Sequence, residues 1–150
     1  MKLFSEKIID GYLQHLTPLA ELITPNLGEL RLLSGSKDVV SGANFLLDQG
    51  CKSVLVTDIY PEKEIITNSL FSKIYGQETF EMDRYPGEYH GTGCTLSSAV
   101  ACHLATGMDI RNAVRSAQIF THAAVQYAHD FGWRQKVPNR FFWKGSNREI

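Results

Sequence analysis

The sequence predicts an α/β layered domain. Three features carry that expectation: apolar residues at helical spacing near both ends, a compact β-branched run between them, and an order in which helices and strands alternate before closing on a pair of helices. Ile8, Ile9, Tyr12, Leu13 and Leu16 fall on one face of a helix from Ser5 to Leu16, which Thr17-Pro18 interrupts. Leu19 to Thr24 reads as a short strand around Leu22-Ile23, closed by the turn signal Pro25-Asn26. A short helix from Leu27 to Leu33 ends at Gly35, and a second, from Asp38 to Gln49 with Val39, Ala43, Leu46 and Leu47 on one face, stops at Gly50.

Ser53-Val54-Leu55-Val56-Thr57 is the central strand, the kind of continuous apolar run buried on both faces. Ile65 to Thr67, Ser72 to Tyr75 and Thr79 to Met82, separated by Asn68-Ser69 and Gly76-Gln77, are expected as a three-part meander at the sheet edge. A loop from Asp83 to Gly93 leads to a helix carrying Leu96, Ala99, Val100 and His103. The last helix, capped by Asp109, bears the stripe Ile110, Ala113, Val114, Ala117, Thr121, Ala124 and Ala128. An aromatic tail follows, and with only two central strands the sheet is expected to lack its first strands.

Composition narrows the partners. With 150 residues, 43% hydrophobic and 21% charged, the chain can bury a core and is expected as one domain over residues 1–150. A net charge of -1, with both signs mixed along the sequence, provides no broad footprint for nucleic acid or an anionic membrane, so small molecules are the expected ligands. An acidic residue within Met1 to Lys7, and no run near the ~20 apolar residues of a spanning helix, give a cytoplasmic expectation. Cys51, Cys94 and Cys102 form no CxxC pair, which argues against a disulfide framework and a structural zinc site.

Two segments carry chemistry. Gly91-Thr92-Gly93-Cys94-Thr95 stands directly before an apolar helical pattern, where unpaired N–H groups and the positive end of the helix dipole attract phosphate. Glycine there lets a ligand approach the backbone closely; the alternative is an ordinary loop in which Thr92 or Thr95 caps the helix. In Thr24-Pro25-Asn26-Leu27-Gly28-Glu29, an amide and a carboxylate three residues apart suit a hydrated magnesium ion riding on phosphates. Asn26 as a helix cap with Glu29 reaching back to it fits the same spacing equally well.

These two segments, in this order, resemble the vitamin-kinase branch of the ribokinase-like superfamily: Leu22-Ile23-Thr24-Pro25-Asn26-Leu27-Gly28-Glu29, then His90-Gly91-Thr92-Gly93-Cys94-Thr95-Leu96-Ser97-Ser98-Ala99-Val100. Cysteine after the second glycine is similar to hydroxymethylpyrimidine kinases, whereas pyridoxal and sugar kinases usually carry aspartate there. The tail from Gly132 to Trp143 also resembles endings of bacterial pyrimidine kinases. The resemblance implies a three-layer α/β/α sandwich and transfer of the γ-phosphoryl group of MgATP to hydroxymethylpyrimidine or its monophosphate, in thiamine biosynthesis. It implies Gly91, Thr92, Gly93 and Cys94 as the anion hole, Asn26 and Glu29 as organisers of magnesium and its waters, and Thr57 beside the nucleotide.

Such a design suits phosphoryl transfer, which depends on positioning and electrostatic stabilisation. Cys94 would help deprotonate the substrate hydroxyl or lend its N–H to the hole. Two other readings stand beside this one: a pyridoxal or pyridoxine kinase, and a noncatalytic nucleotide-binding or oligomerisation module. Family members are longer, and where they often have lysine and glycines after the Val-Leu-Val strand this chain has Thr57-Asp58-Ile59-Tyr60, a threonine more like pyridoxal kinases. A sheet open at its middle exposes apolar edges, which favours a homodimer. His90 is expected in solvent, His103 in the core, Asp83-Arg84 as a surface pair, and Trp133 and Trp143 as packing residues.

Overall fold

In the computed structural model, which describes residues 6–132 and 135–144, Ser53–Val56 forms β1 with Val54, Leu55 and Val56 wholly buried. Such complete burial requires cover on both faces and a partner at both edges. One edge pairs antiparallel with β2 (Ile65–Ser72), which pairs antiparallel with β3 (Gly76–Asp83), giving the order β1-β2-β3. Along the other edge residues 20–26 run parallel to β1. Lys52 N–H donates to Ala20 O (3.1 Å), Ile23 N–H to Ser53 O (3.1 Å), Leu55 N–H to Ile23 O (2.8 Å) and Thr57 N–H to Pro25 O (2.9 Å).

The strand expected from Leu19 to Thr24 is therefore reduced to two isolated bridges, Ile23 with Val54 and Asn26 with Thr57. Leu19 ends a 3₁₀ turn, and Pro25 has no N–H with which to continue a ladder. The preceding helix, α1 (Glu6–Gly11), runs through a π-helical stretch (Tyr12–Leu16) into that turn, Thr17–Leu19. The run ends at Leu16 as the Thr17-Pro18 signal expects, and Pro18 sits in the first turn of the 3₁₀ segment, where its missing N–H costs nothing. Ser5, expected as the helix start, lies outside the described residues.

Helices α2 (Leu27–Ser34) and α3 (Val39–Asp48) pack on each other, and α3 packs on the sheet. Gly35 ends α2 at φ +69°, and Asp38 caps α3 by accepting from Ser41 N–H at 2.7 Å, a bond that holds its carboxyl below the usual range. Ile23, Leu30, Leu46, Val54, Val56 and Phe71 belong to one core cluster.

The expected three-part meander is instead a single hairpin. Asn68-Ser69, a turn signal in the sequence, is buried in mid-strand because its polar groups have partners: Asn68 Oδ1 accepts from Asp58 N–H (2.8 Å), while Ser69 Oγ bonds Thr79 Oγ1 (2.9 Å) and Gln77 Nε2 (3.2 Å). The turn comes later, at residues 73–75, with Gly76 at φ +72° in the left-handed conformation that closes a three-residue loop.

Contacts divide the chain into two compact units, Met1–Asp83 and Arg84–Ile150. In the second, α4 (Thr92–Ala105) and α5 (Ile110–Gln126) form a helical hairpin that buries Leu96, Val100, Ala113, Val114 and Ala117. Asp109 caps α5, accepting from the N–H groups of Arg111 and Asn112 (3.1 Å each); Ala128, assigned to the same stripe, falls beyond the helix end. The tail is laced into this unit: Lys136 bonds Glu88 and His90 through its backbone, His129 and Val137 exchange two bonds, and Asn139 N–H donates to Ala124 O (2.8 Å). Trp143 packs against Phe120 and Phe142 at centroid distances of 5.7 and 5.3 Å, as expected of a packing residue, whereas Trp133 lies outside the described residues. His103 is half-buried on α4 and His90 is exposed. Among the described residues no helix is long and apolar enough to cross a membrane.

Cys51 is 2% exposed and its thiol donates to Leu46 O at 3.2 Å, while Cys94 and Cys102 are exposed. Burial raises the Cys51 pKa from 9.0 to about 11. A raised folded pKa means that the native state holds the proton more tightly than the unfolded chain. That stabilisation is complete below pH 9 and is lost as the pH rises toward 11. Thiol titration of the native protein at pH 8 is expected to modify Cys94 and Cys102 and spare Cys51. Urea unfolding should show a fall in stability between pH 9 and 11 that Cys51→Ala reduces.

Candidate phosphate-binding site

The first unit gathers three of the singled-out residues at the carboxyl end of β1. Thr57 follows the strand directly, and Asn26 is bridged to it from the parallel segment. Glu29 stands one turn into α2. Between Asn26 and Glu29 the capping box is formed in full: Asn26 Oδ1 accepts from Glu29 N–H and Glu29 Oε2 accepts from Asn26 N–H, both at 2.9 Å. The spacing that suited a magnesium ion is thus used for helix initiation, and both side chains remain exposed at the surface. The two roles are compatible, because Glu29 Oε1 is not part of the box and a hydrated ion asks for few direct ligands. Among the described residues no three His, Cys, Asp or Glu side chains cluster to hold a metal, so a magnesium ion here would depend on water and phosphate oxygens for the rest of its shell.

Thr57 is half-buried, its hydroxyl 3.5 Å from Pro25 O. Asp58 next to it takes φ +50°, the left-handed region in which an L side chain is strained and a glycine is not. The departure from the family pattern at Thr57-Asp58-Ile59-Tyr60 therefore lies where the backbone itself favours glycine. Glu29 also borders a cleft of about 300 Å³ with apolar walls that include Ile8, Ile9, Tyr12, Ile23 and Leu32. Burial, with smaller contributions from Cys51 and Glu29, raises the Tyr12 hydroxyl above its ordinary value, so the phenol stays neutral.

The second unit holds the glycine turn. Gly91 is the N-cap of α4 at φ +88°, and no side chain among the described residues caps the helix. Neither Thr92 nor Thr95 acts as the cap that the ordinary-loop reading requires. The Thr95 hydroxyl donates back to Gly91 O (2.8 Å), and Thr92 Oγ1 is buried without a partner among the described residues. The amides of Thr92, Gly93 and Cys94 fall in the first turn, where helix geometry offers no acceptor. A Cβ built on Gly93 would meet nothing within 4 Å among the described residues, so the fold does not require glycine there. Cys94 is exposed.

Arg140 also reaches this turn, its Nε donating to Thr95 Oγ1 (2.9 Å) and its Nη2 to Gly91 O (3.4 Å). The sequence gives no local sign of it, since its partners lie 45 and 49 positions away. Asp83 and Arg84 each have a partner.

Comparison with known proteins bears on both segments. A family model described as phosphomethylpyrimidine kinase matches residues 1–139. A hydroxymethylpyrimidine/phosphomethylpyrimidine kinase of Staphylococcus aureus (strain MRSA252) is 34% identical over 138 residues, covering 86% of this chain and 50% of that protein. A putative pyridoxine kinase of Staphylococcus aureus (strain COL) is 29% identical over 135 residues, 83% of this chain and 46% of that protein. Among solved structures, an ADP complex of Bacillus subtilis pyridoxal kinase matches with a TM-score of 0.84 at 26% identity, over 95% of this chain and 58% of that one. The expected ribokinase-like α/β fold is borne out by that match. The chain spans about half the length of the curated relatives it matches.

The capping box makes a separable prediction for the first unit. Asn26→Ala is expected to lower stability in urea unfolding by about 1 kcal/mol, whereas Glu29→Gln, which keeps the return bond, should cost less than about 0.5 kcal/mol.

Proposed function

The chain belongs to the phosphomethylpyrimidine kinase family, and on that premise we propose that it binds MgATP through the Gly91 turn and serves phosphoryl transfer to the hydroxymethyl group or the monophosphate of an aminopyrimidine in thiamine biosynthesis. One observation carries the reading: α4 begins at a left-handed glycine with no side-chain cap, which leaves the first-turn amides open to an anion. The donors fit the ligand's chemistry, since phosphate oxygens accept from N–H groups at the positive end of a helix dipole. Bound MgATP would supply the transferable phosphoryl group and a cation that shields its charge.

The chain's residues then have distinct tasks. The N–H groups of Thr92, Gly93 and Cys94 neutralise charge that grows on the transferring group, and they do so without reorganising, because the helix and the contacts at its start hold them. Cys94 helps to deprotonate the attacking hydroxymethyl oxygen. Glu29 would hold hydrated magnesium through its free oxygen, with Asn26 keeping the carboxylate in place from across the capping box. Thr57 lies beside the nucleotide. The reading includes a cytoplasmic location, self-association as a homodimer and a single kinase domain over residues 1–150.

Pyridoxal or pyridoxine is the competing substrate, favoured by the names of two matched relatives and by Thr57. A noncatalytic nucleotide-binding module is the reading from a different class. Calorimetry with MgATP, joined to a coupled assay on hydroxymethylpyrimidine, its monophosphate and pyridoxal, separates the three. The assay is run with and without the amino-terminal half of the Staphylococcus aureus relative. The proposal expects saturable MgATP binding and pyrimidine turnover. Faster turnover of pyridoxal gives the substrate to the competitor, and binding without turnover under any complementation leaves only the module. Cys94→Ala keeps its backbone N–H, so MgATP affinity should stay within about threefold while turnover falls about 100-fold or more.

A further inference from the structure

The hold on the glycine turn is completed by a contact that the helix itself does not supply. In a trans peptide the C=O of one residue and the N–H of the next point in opposite directions. Whatever fixes Gly91 O therefore fixes Thr92 N–H facing the other way. Gly91, at φ +88°, has no side chain to resist rotation of that plane. Its carbonyl is held by Thr95 N–H at 3.0 Å, by the Thr95 hydroxyl at 2.8 Å and by Arg140 Nη2 at 3.4 Å.

Arg140 adds more than one long bond. Its Nε donates to the Thr95 hydroxyl at 2.9 Å, which occupies a lone pair of that oxygen and directs its proton at Gly91 O. Thr95 is 3% exposed, so its hydroxyl is shielded from competing water, while Arg140 reaches it from the surface. Two donors on one planar guanidinium thus engage both ends of a single relay, a geometry that a lysine ammonium does not reproduce. The arginine arrives in register because the backbone bond from Asn139 N–H to Ala124 O (2.8 Å) fixes the tail one residue earlier. A Cβ on Gly91 would come within 3.0 Å of Arg140 Nη2, so the guanidinium packs directly on the turn.

We propose that Arg140 is a positioning residue for the phosphate turn: its guanidinium, clasping Thr95 Oγ1 and Gly91 O, locks the Gly91–Thr92 peptide so that Thr92 N–H stays turned toward the anion. The inference rests on the phosphate-binding reading of that turn and assigns it a residue from the far end of the chain. The guanidinium also brings a fixed positive charge to the site, and the experiment separates the two contributions.

The full chain and its Arg140→Ala, Arg140→Lys and Thr95→Val variants are titrated calorimetrically with MgATP and with inorganic tripolyphosphate, at low and high salt. Backbone ¹⁵N order parameters of Thr92 and Gly93 are measured in the ligand-free proteins. Positioning predicts that Arg140→Ala and Arg140→Lys both lose about tenfold in affinity for each probe, a loss that persists at high salt, as expected when charge-assisted hydrogen bonds rather than net charge are removed. It also predicts that Thr95→Val, which keeps Arg140, gives a similar loss, and that the order parameters at Thr92 and Gly93 drop in all three variants. Full recovery by Arg140→Lys, with a deficit in Arg140→Ala that salt abolishes, overturns positioning and leaves only a charge. Unchanged affinity and order parameters in every variant overturn the proposal while the phosphate reading stands. Failure of the unsubstituted chain to bind either probe removes the phosphate reading, and the proposal with it.

Discussion

The burial of β1 is the constraint on which the first unit depends. A strand whose Val54, Leu55 and Val56 have no exposed surface needs partners at both edges, and it takes β2 on one side and the parallel segment of residues 20–26 on the other. Parallel alignment brings the carboxyl ends of both chains to one side of the sheet. Thr57 and Asn26 are bridged there, and α2 starts at the same place. Ligands of open α/β sheets bind outside the carboxyl ends of strands, because loops and helix N-termini converge there. Pro25 contributes by omission: lacking an N–H, it interrupts the ladder between the bridges at Ile23 and Asn26.

How the helices begin separates structure from candidate chemistry. Helices α2, α3 and α5 start at Asn26, Asp38 and Asp109, each of which accepts a first-turn N–H through its side chain. Helix α4 starts at Gly91, which has no side chain to offer. At the first three an arriving anion would compete with a carboxylate or amide oxygen already in place. At α4 it would meet open amides and a dipole. The energy of a cap, about 1 kcal/mol, has been forgone at one helix only among those four, and that helix carries the glycine turn.

Much of this was legible in the sequence, because local rules decide it. The helix span from Asp38, the cap at Asp109, the stops at Gly35 and Gly50 and the apolar run of β1 each follow from residues within one or two turns of chain. Where the reading failed, a distant partner had overridden a local signal. Asn68-Ser69 reads as a turn, yet Asp58, Gln77 and Thr79 satisfy its polar groups inside a strand. The sequence also left Asn26 and Glu29 balanced between capping and metal binding, and only coordinates reveal that the box closes. Arg140 was beyond reach for the same reason: its role is set by backbone pairing of the tail, which leaves no periodic mark.

On the proposed function Gly93, unlike the left-handed Gly91, serves a ligand's approach rather than the fold, and substituting it separates the two. Its position is helical and open, so Gly93→Ala should raise stability by up to about 1 kcal/mol through helix propensity alone. If phosphate binds against these amides, the added methyl group should weaken MgATP binding by about tenfold or more in calorimetry while the melting temperature holds or rises. Unchanged MgATP affinity in a folded Gly93→Ala protein would contradict the claim and return the turn to an ordinary helix start.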